Sequence, residues 1–208
     1  MARYIGPVCR LCRREQVKLF LKGEKCYTKC VLDKRATPPG MAKPQRQKPS
    51  EYMIRLREKQ KLRRMAMITE RPFERMVAKA SQAPGQTGLE ILKNMELRLD
   101  NIVRRLGFST SLIGARQLVL HGHIKVNGKA VNIPSYAVKP DSMIALDPKM
   151  HENVGVKLGL DYSERKSTRP AFLEFNKGEM SGRLVRIPAR EEMSFPVSEH
   201  LVVEYYSK

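Results

Sequence analysis

A surplus of positive charge constrains this chain more than any other feature of its sequence. Forty Lys and Arg residues face 21 Asp and Glu, which leaves a formal +19 on 208 residues. A chain of this size repels itself unless a polyanion or a counterion cloud absorbs that charge, so a nucleic acid or an anionic membrane surface is the expected partner. A spanning helix is ruled out, because no run free of acids and bases exceeds ten residues, whereas a bilayer needs roughly 18 apolar ones. The opening residues MARYIGPVCRLCRRE hold no apolar core of a secretory signal, so a cytoplasmic location is expected. Hydrophobic residues make up 41% of the chain, enough for a core and too many for a disordered basic tail. Trp is absent and aromatics are 6%, which argues against rows of aromatics stacking on splayed bases.

The charge is concentrated at the front, where residues 1–90 carry 22 basic and 8 acidic side chains against 18 and 13 in the remainder. Within that stretch Thr37 to Pro49 reads TPPGMAKPQRQKP, four prolines and three cations with no acid. It cannot continue a helix and is expected to be an extended arm. Ser50 then precedes EYMIRLREKQKLRRMAMITE, a run of helix formers expected to stop or restart at Pro72. A second polar break, SQAPGQTG at 81–88, separates this helical region from the second half of the chain.

All four cysteines, Cys9, Cys12, Cys26 and Cys30, lie in the first 30 residues, with two, thirteen and three residues between them. Two close pairs joined by a short spacer match the ligand spacing of one structural zinc ion, each pair supplying two corners of a tetrahedron. Arg10, Arg13, Arg14, Lys25 and Lys29 surround them and favour deprotonated sulfur. The alternatives are two disulfides or four idle thiols, and a chain without an export signal makes disulfides the weaker reading.

In the second half, Thr87 and Glu90 have capping-box spacing. Ile91, Leu92, Met95, Leu99, Ile102, Val103 and Leu106 then recur at helical spacing up to Gly107, which predicts one helix that keeps Lys93, Arg98, Arg104 and Arg105 in solvent. A second helix is expected from Ser111 to His121-Gly122, with Arg116 projecting. Asn127-Gly128 within HIKVNGKAV predicts a type I′ hairpin flanked by Lys125 and Lys129, and MIAL at 143–146 a further strand. The four His residues look like turn or surface groups, and neither Asp100 nor Asp141 has the context of an acid or base catalyst, so no enzyme is expected.

Residues 98–146, RLDNIVRRLGFSTSLIGARQLVLHGHIKVNGKAVNIPSYAVKPDSMIAL, resemble the S4 RNA-binding domain family. The start, the block SEYMIRLREKQKLRR at 50–64 and the ending EHLVVEYYSK are similar to the zinc-bearing form of the S4 family of small-subunit ribosomal proteins, bacterial or organellar. The resemblance implies an α+β architecture: a zinc-stabilised front segment and a helical domain, with a small α+β RNA-binding domain inserted. The expected divisions are 1–50 for the zinc segment and basic arm, 51–96 for a helical domain completed by 188–208, 97–160 for the small domain, and 161–187 for additional strands of the second domain.

The family further implies binding to 16S-type rRNA at a junction in its 5′ region, nucleation of subunit assembly, contact with ribosomal protein S5 and a part in translational accuracy, with no membrane and no small-molecule substrate. Zinc-bearing members place cysteines here, so Cys9, Cys12, Cys26 and Cys30 inherit the ligand role for one Zn²⁺. The expected RNA contacts are Arg55, Arg57, Lys59, Lys61, Arg63 and Arg64 in the first helical block and Arg98, Arg104, Arg105, Arg116, Lys125, Asn127 and Lys129 in the small domain. Leu112 stands where the family usually has Arg, and Arg104 where it often has Tyr. Reversing Arg116 to Glu is expected to weaken RNA binding with the fold intact. The other readings are an RNA-modifying or regulatory protein that uses the same small domain, and a zinc-dependent DNA-binding regulator.

Overall fold

The first helices are short, four to seven residues each. In the computed structural model, which describes residues 3–41, 48–167 and 169–207, α1 (Cys9–Glu15), α2 (Lys25–Thr28) and α3 (Val31–Lys34) fold around the cysteines. Residues 42–47 of the basic arm, with Lys43 and Arg46, lie outside the described residues. Helix α4 (Glu51–Met65) starts where Ser50 accepts a hydrogen bond from the Met53 N–H at 3.3 Å, the capping expected of a serine before helix formers. The break after α4 comes earlier than Pro72, at Met67, whose φ is 50°. Helix α5 (Glu70–Gln82) restarts with Pro72 in its first turn, where the missing N–H has no helical partner to lose.

Helix α6 (Thr87–Glu96) carries the chain across the division between two compact units, Met1–Leu92 with Phe195–Lys208, and Lys93–Ser194. Its start corrects the capping-box expectation. The Glu90 N–H bonds to Gln86 O at 3.1 Å, so Gln86 occupies the cap and Thr87 is already helical. The single helix expected through Leu106 is also two: α7 (Leu99–Leu106) begins anew after an extended Arg98. The cause is a long-range backbone contact. Leu99 N–H donates to Tyr136 O and Val138 N–H to Leu97 O, each at 2.9 Å, and these bonds pull Leu97 and Arg98 out of the helical path although the apolar spacing continues through them.

The rest of the second unit follows the sequence closely. Ser111 caps α8 (Leu112–Leu120) by accepting from the Gly114 N–H at 3.2 Å. Strands β1 (Ile124–Val126) and β2 (Lys129–Ala130) meet across Asn127 and Gly128, whose φ values of 50° and 81° are those of a type I′ turn. Strand β3 (Met143–Leu146) pairs with β1, placing Ile144 opposite Val126. After α9 (Val154–Lys166), which runs through the expected division at residue 160, β4 (Leu173–Asn176) and β5 (Ser181–Leu184) complete one antiparallel sheet of order β2-β1-β3-β5-β4. Leu106, Phe108, Val119, Ile124, Ile144 and Phe172 are fully buried in its core.

Helix α10 (Glu199–Tyr206) returns to the first unit and packs on α4, with Tyr52 and Tyr205 ring centroids 5.8 Å apart. The fold class is α+β, as expected. Among the described residues, no helix is long and apolar enough to cross a membrane.

Candidate nucleic-acid interface

The basic block of α4 is expected to face RNA, yet its side chains are engaged within the protein. Arg57 and Arg64 both bind Glu15, whose side chain is 1% exposed, Arg57 at 3.2 Å. Burial pushes the Glu15 carboxyl up, and the nearby Arg64 and Arg57 oppose that shift. Lys59, only 4% exposed, is bound to Glu70 and lies 4.6 Å over the Tyr205 ring. Arg63 reaches the same Glu70 at 3.4 Å, and Tyr206 donates its hydroxyl to it at 3.0 Å. Burial alone would raise the Glu70 pKa, but hydrogen bonds from Lys59 and Tyr206 and the charges of Lys59 and Arg63 outweigh it and hold the carboxyl below its ordinary value. Arg55 bridges Glu204 at 2.7 Å and Glu51 at 3.0 Å. Lys61 pairs with Glu58 at 2.6 Å, while Glu58 also accepts from the Ser198 N–H at 2.8 Å. These cations fasten α1, α5 and the carboxyl-terminal segment to α4.

The small domain repeats the pattern. Asp100, 1% exposed, receives Arg98 through Nε at 3.0 Å and Nη2 at 2.9 Å. Arg116 binds the same carboxylate through Nε at 2.9 Å and Nη2 at 2.7 Å. Both arginines are 7% exposed, which corrects the expectation that Arg98 stays in solvent and Arg116 projects. Arg105 donates to fully buried Glu96 through Nε at 3.0 Å, and Asn101 donates to the other oxygen of Glu96 at 2.8 Å. Arg104 donates to Asn101 Oδ1 at 3.0 Å and is half-buried. Leu112, the departure from an expected arginine, is buried in this unit at 6% exposure.

At the hairpin, Asn127 holds the turn through Oδ1, which accepts from the Met143 N–H at 2.8 Å. Lys125 lies 3.7 Å from Asp147 and its side chain is 38% exposed. Lys129 is exposed, with no ion pair among the described residues.

Helix α5 supplies a set of cations that the sequence reading passed over. Arg71, Arg75 and Lys79 recur every fourth residue and are all exposed, while Phe73, Val77 and Ala80 are buried. Residues four apart share a helix face, so the three cations form one row, and none is in an ion pair among the described residues. The spacing is readable from the sequence, but the denser cations of the α4 block outweigh it there.

The four cysteines are free thiols: Cys9 and Cys12 stand one turn apart on α1, Cys26 lies on α2, and Cys30 precedes α3. Burial pushes the Cys12 thiol up, and the other three cysteines add to that rise; for Cys26, burial again leads and Cys30 and Cys9 add to it. Lys22 N–H donates to Cys26 Sγ at 3.3 Å. No three His, Cys, Asp or Glu side chains among the described residues lie close enough to hold a metal ion as they stand. Four thiols on or beside short helices, with Cys26 bonded to a backbone N–H, match in kind the donor set of a structural zinc.

A groove of about 700 Å³ in the first unit is lined by more acids than bases. It is lined by Glu51, Glu70, Glu74 and Glu204 with Tyr52 and Tyr205 among others, and its cations Arg55 and Lys59 are both paired.

Comparison with known proteins agrees with this architecture. Residues 3–96 match the ribosomal protein S4/S9 N-terminal domain, and residues 97–144 match the S4 domain. Over the full length of both chains, the protein is 51% identical to small ribosomal subunit protein uS4A of Symbiobacterium thermophilum. It is 49% identical, over the same full coverage, to small ribosomal subunit protein uS4 of Halothermothrix orenii and of Thermus thermophilus.

The buried pairing changes what the Arg116 reversal should do. Arg116→Glu would set a second carboxylate against buried Asp100, and breaking a buried pair costs about 3–5 kcal/mol. The variant is therefore expected to lose stability in thermal unfolding rather than keep its fold. A melting temperature equal to that of the wild type would contradict the pairing.

Proposed function

The chain belongs to the uS4 family of small ribosomal subunit proteins, and on that premise we propose that it is a non-enzymatic constituent of the small subunit that binds its rRNA and neighbouring ribosomal proteins. In this reading it acts by position. Cations on exposed faces neutralise phosphates where RNA segments converge, which favours early assembly of the subunit body and gives the protein a part in translational accuracy. The observation that carries the RNA-binding part is the exposed row Arg71, Arg75 and Lys79 on α5, joined by exposed cations of the front segment. The RNA-modifying alternative gains no support, because the full-length relatives are ribosomal proteins.

The reading extends to a metal and to a partner. Cys9, Cys12, Cys26 and Cys30 would hold one zinc ion, which supplies rigidity and no chemistry, so that the cations beside it arrive preordered. The tyrosine-rich groove, lined by four glutamates and two cations, suits a basic protein segment better than phosphate, and the partner in this reading is S5.

Three measurements test these statements. Neutralising Arg71, Arg75 and Lys79 together should weaken binding to small-subunit rRNA. It should also reduce the slope of log affinity against log salt by about 2–3, at roughly 0.7–0.9 per phosphate contact, with unfolding unchanged; an unaltered slope would remove α5 from the interface. Protein purified without chelator should carry about one zinc per chain, as in structural sites of this ligand set, and less in Cys12→Ser; a metal content near zero would dispose of the site. Glu51→Lys with Glu74→Lys, both at exposed positions, should lower retention of purified S5 while leaving rRNA affinity equal or higher, and unchanged retention would exclude the groove as its seat.

A further inference from the structure

Two of the few aromatic residues are stacked on each other at the surface of the front segment. Phe20 and Tyr27 have ring centroids 4.8 Å apart and planes inclined by 29°. They remain 39% and 56% exposed, so each ring shelters one face of the other while a large part of both stays open. Burial of apolar rings is the usual outcome of folding, and the local structure works against it here. Leu19 and Leu21, on either side of Phe20, are buried at 5% and 2% exposure, and Phe20 itself has φ 51°. A bulky residue in the left-handed region is an uncommon and strained conformation. The chain thus anchors both neighbours and turns the ring between them outward. Tyr27 is presented by α2, and Cys26 beside it ties that helix to the loop through the Lys22 N–H.

The surroundings indicate what such a pair receives. From Lys18 to Cys30 the chain holds four lysines and a single acid, Glu24. Lys18 is paired with Asp33 at 2.8 Å, whereas Lys22, Lys25 and Lys29 are exposed and in no ion pair among the described residues. Aromatic faces among cations are the means by which proteins take unpaired nucleotides, the base stacking on the ring and the flanking phosphates meeting the lysines. Three exposed lysines within five residues of the rings in sequence favour an anionic partner over an apolar one. We propose that Phe20 and Tyr27 form a stacking platform for an unpaired base of the small-subunit rRNA. The proposal rests on the rRNA-binding reading above and names the structure recognised within it: a splayed base, not only a phosphate backbone.

The test uses the full-length protein and full-length small-subunit rRNA at fixed salt. Tyr27→Leu, which keeps apolar bulk but removes the ring, should bind about tenfold more weakly, within the range of single base–aromatic stacks. Tyr27→Phe should stay within about twofold, because the π-face that carries base stacking is kept. The salt slope should be the same in both, since no phosphate contact is lost. Independently of any variant, ultraviolet crosslinking of the unmodified protein to rRNA should yield adducts at Tyr27 or Phe20. Wild-type affinity in Tyr27→Leu, or adducts found only elsewhere, would overturn the platform while the rRNA reading stands. Unchanged rRNA affinity with loss of a ribosomal protein partner would assign the pair to a protein contact and overturn it too. Failure of the wild type to bind rRNA would overturn the wider reading, and this one with it.

Discussion

A chain with nineteen surplus positive charges folds here because a few carboxylates take the cations that lie inside. Glu15 receives Arg57 and Arg64, Glu70 receives Lys59 and Arg63, Glu96 receives Arg105, and Asp100 receives Arg98 and Arg116. Guanidinium is suited to this, because it presents several donors at once. Arg98 spans both oxygens of Asp100, whereas Arg116 and Arg105 each direct two donors at one oxygen, and Arg57 and Arg64 each keep a buried Nε without a hydrogen bond. Removing one member leaves an uncompensated charge in a low dielectric, so each acid sets where several helices can sit. The acids are the scarce component, and their positions decide which cations remain for a partner.

That division separates two populations of basic residue that look alike in the sequence. The α4 block and the arginines of the small domain are spent on internal pairs. The row on α5, Lys22, Lys25 and Lys29 near the cysteines and Lys129 on the hairpin are in no ion pair among the described residues. In the family reading, the internal population holds the shape and the external one meets RNA. The groove beside α10, with four glutamates to two cations, is consistent with a surface kept for protein.

Much of the local structure is legible in the sequence because its causes are local. Ser50 and Ser111 cap the helices that begin after them, Asn127-Gly128 makes the predicted turn, and MIAL is a strand with the expected limits. The expected continuous helix through Leu106 fails because Met95, Leu99 and Ile102 keep helical spacing across a break that comes from backbone bonds to Tyr136 and Val138, about 40 residues away in sequence. The same break explains Arg98: on one continuous helix it would share the polar face of Arg105, whereas an extended Arg98 folds back on Asp100. Burial of Arg116 depends on that same carboxylate, sixteen residues earlier in the chain. The scarcity of aromatics counts against base stacking, yet scarcity does not say where the rings lie, and two lie together in the open.

The sorting of cations into internal and external sets is open to direct observation by covalent labelling of lysine and arginine side chains, read by mass spectrometry with and without small-subunit rRNA. Arg71, Arg75, Lys79 and Lys129 should label readily in the free protein and become protected in the complex, whereas Lys59, Arg98 and Arg116 should resist labelling in both. Ready labelling of Arg98 and Arg116 in the free protein, or protection by RNA that passes over α5, would contradict the account.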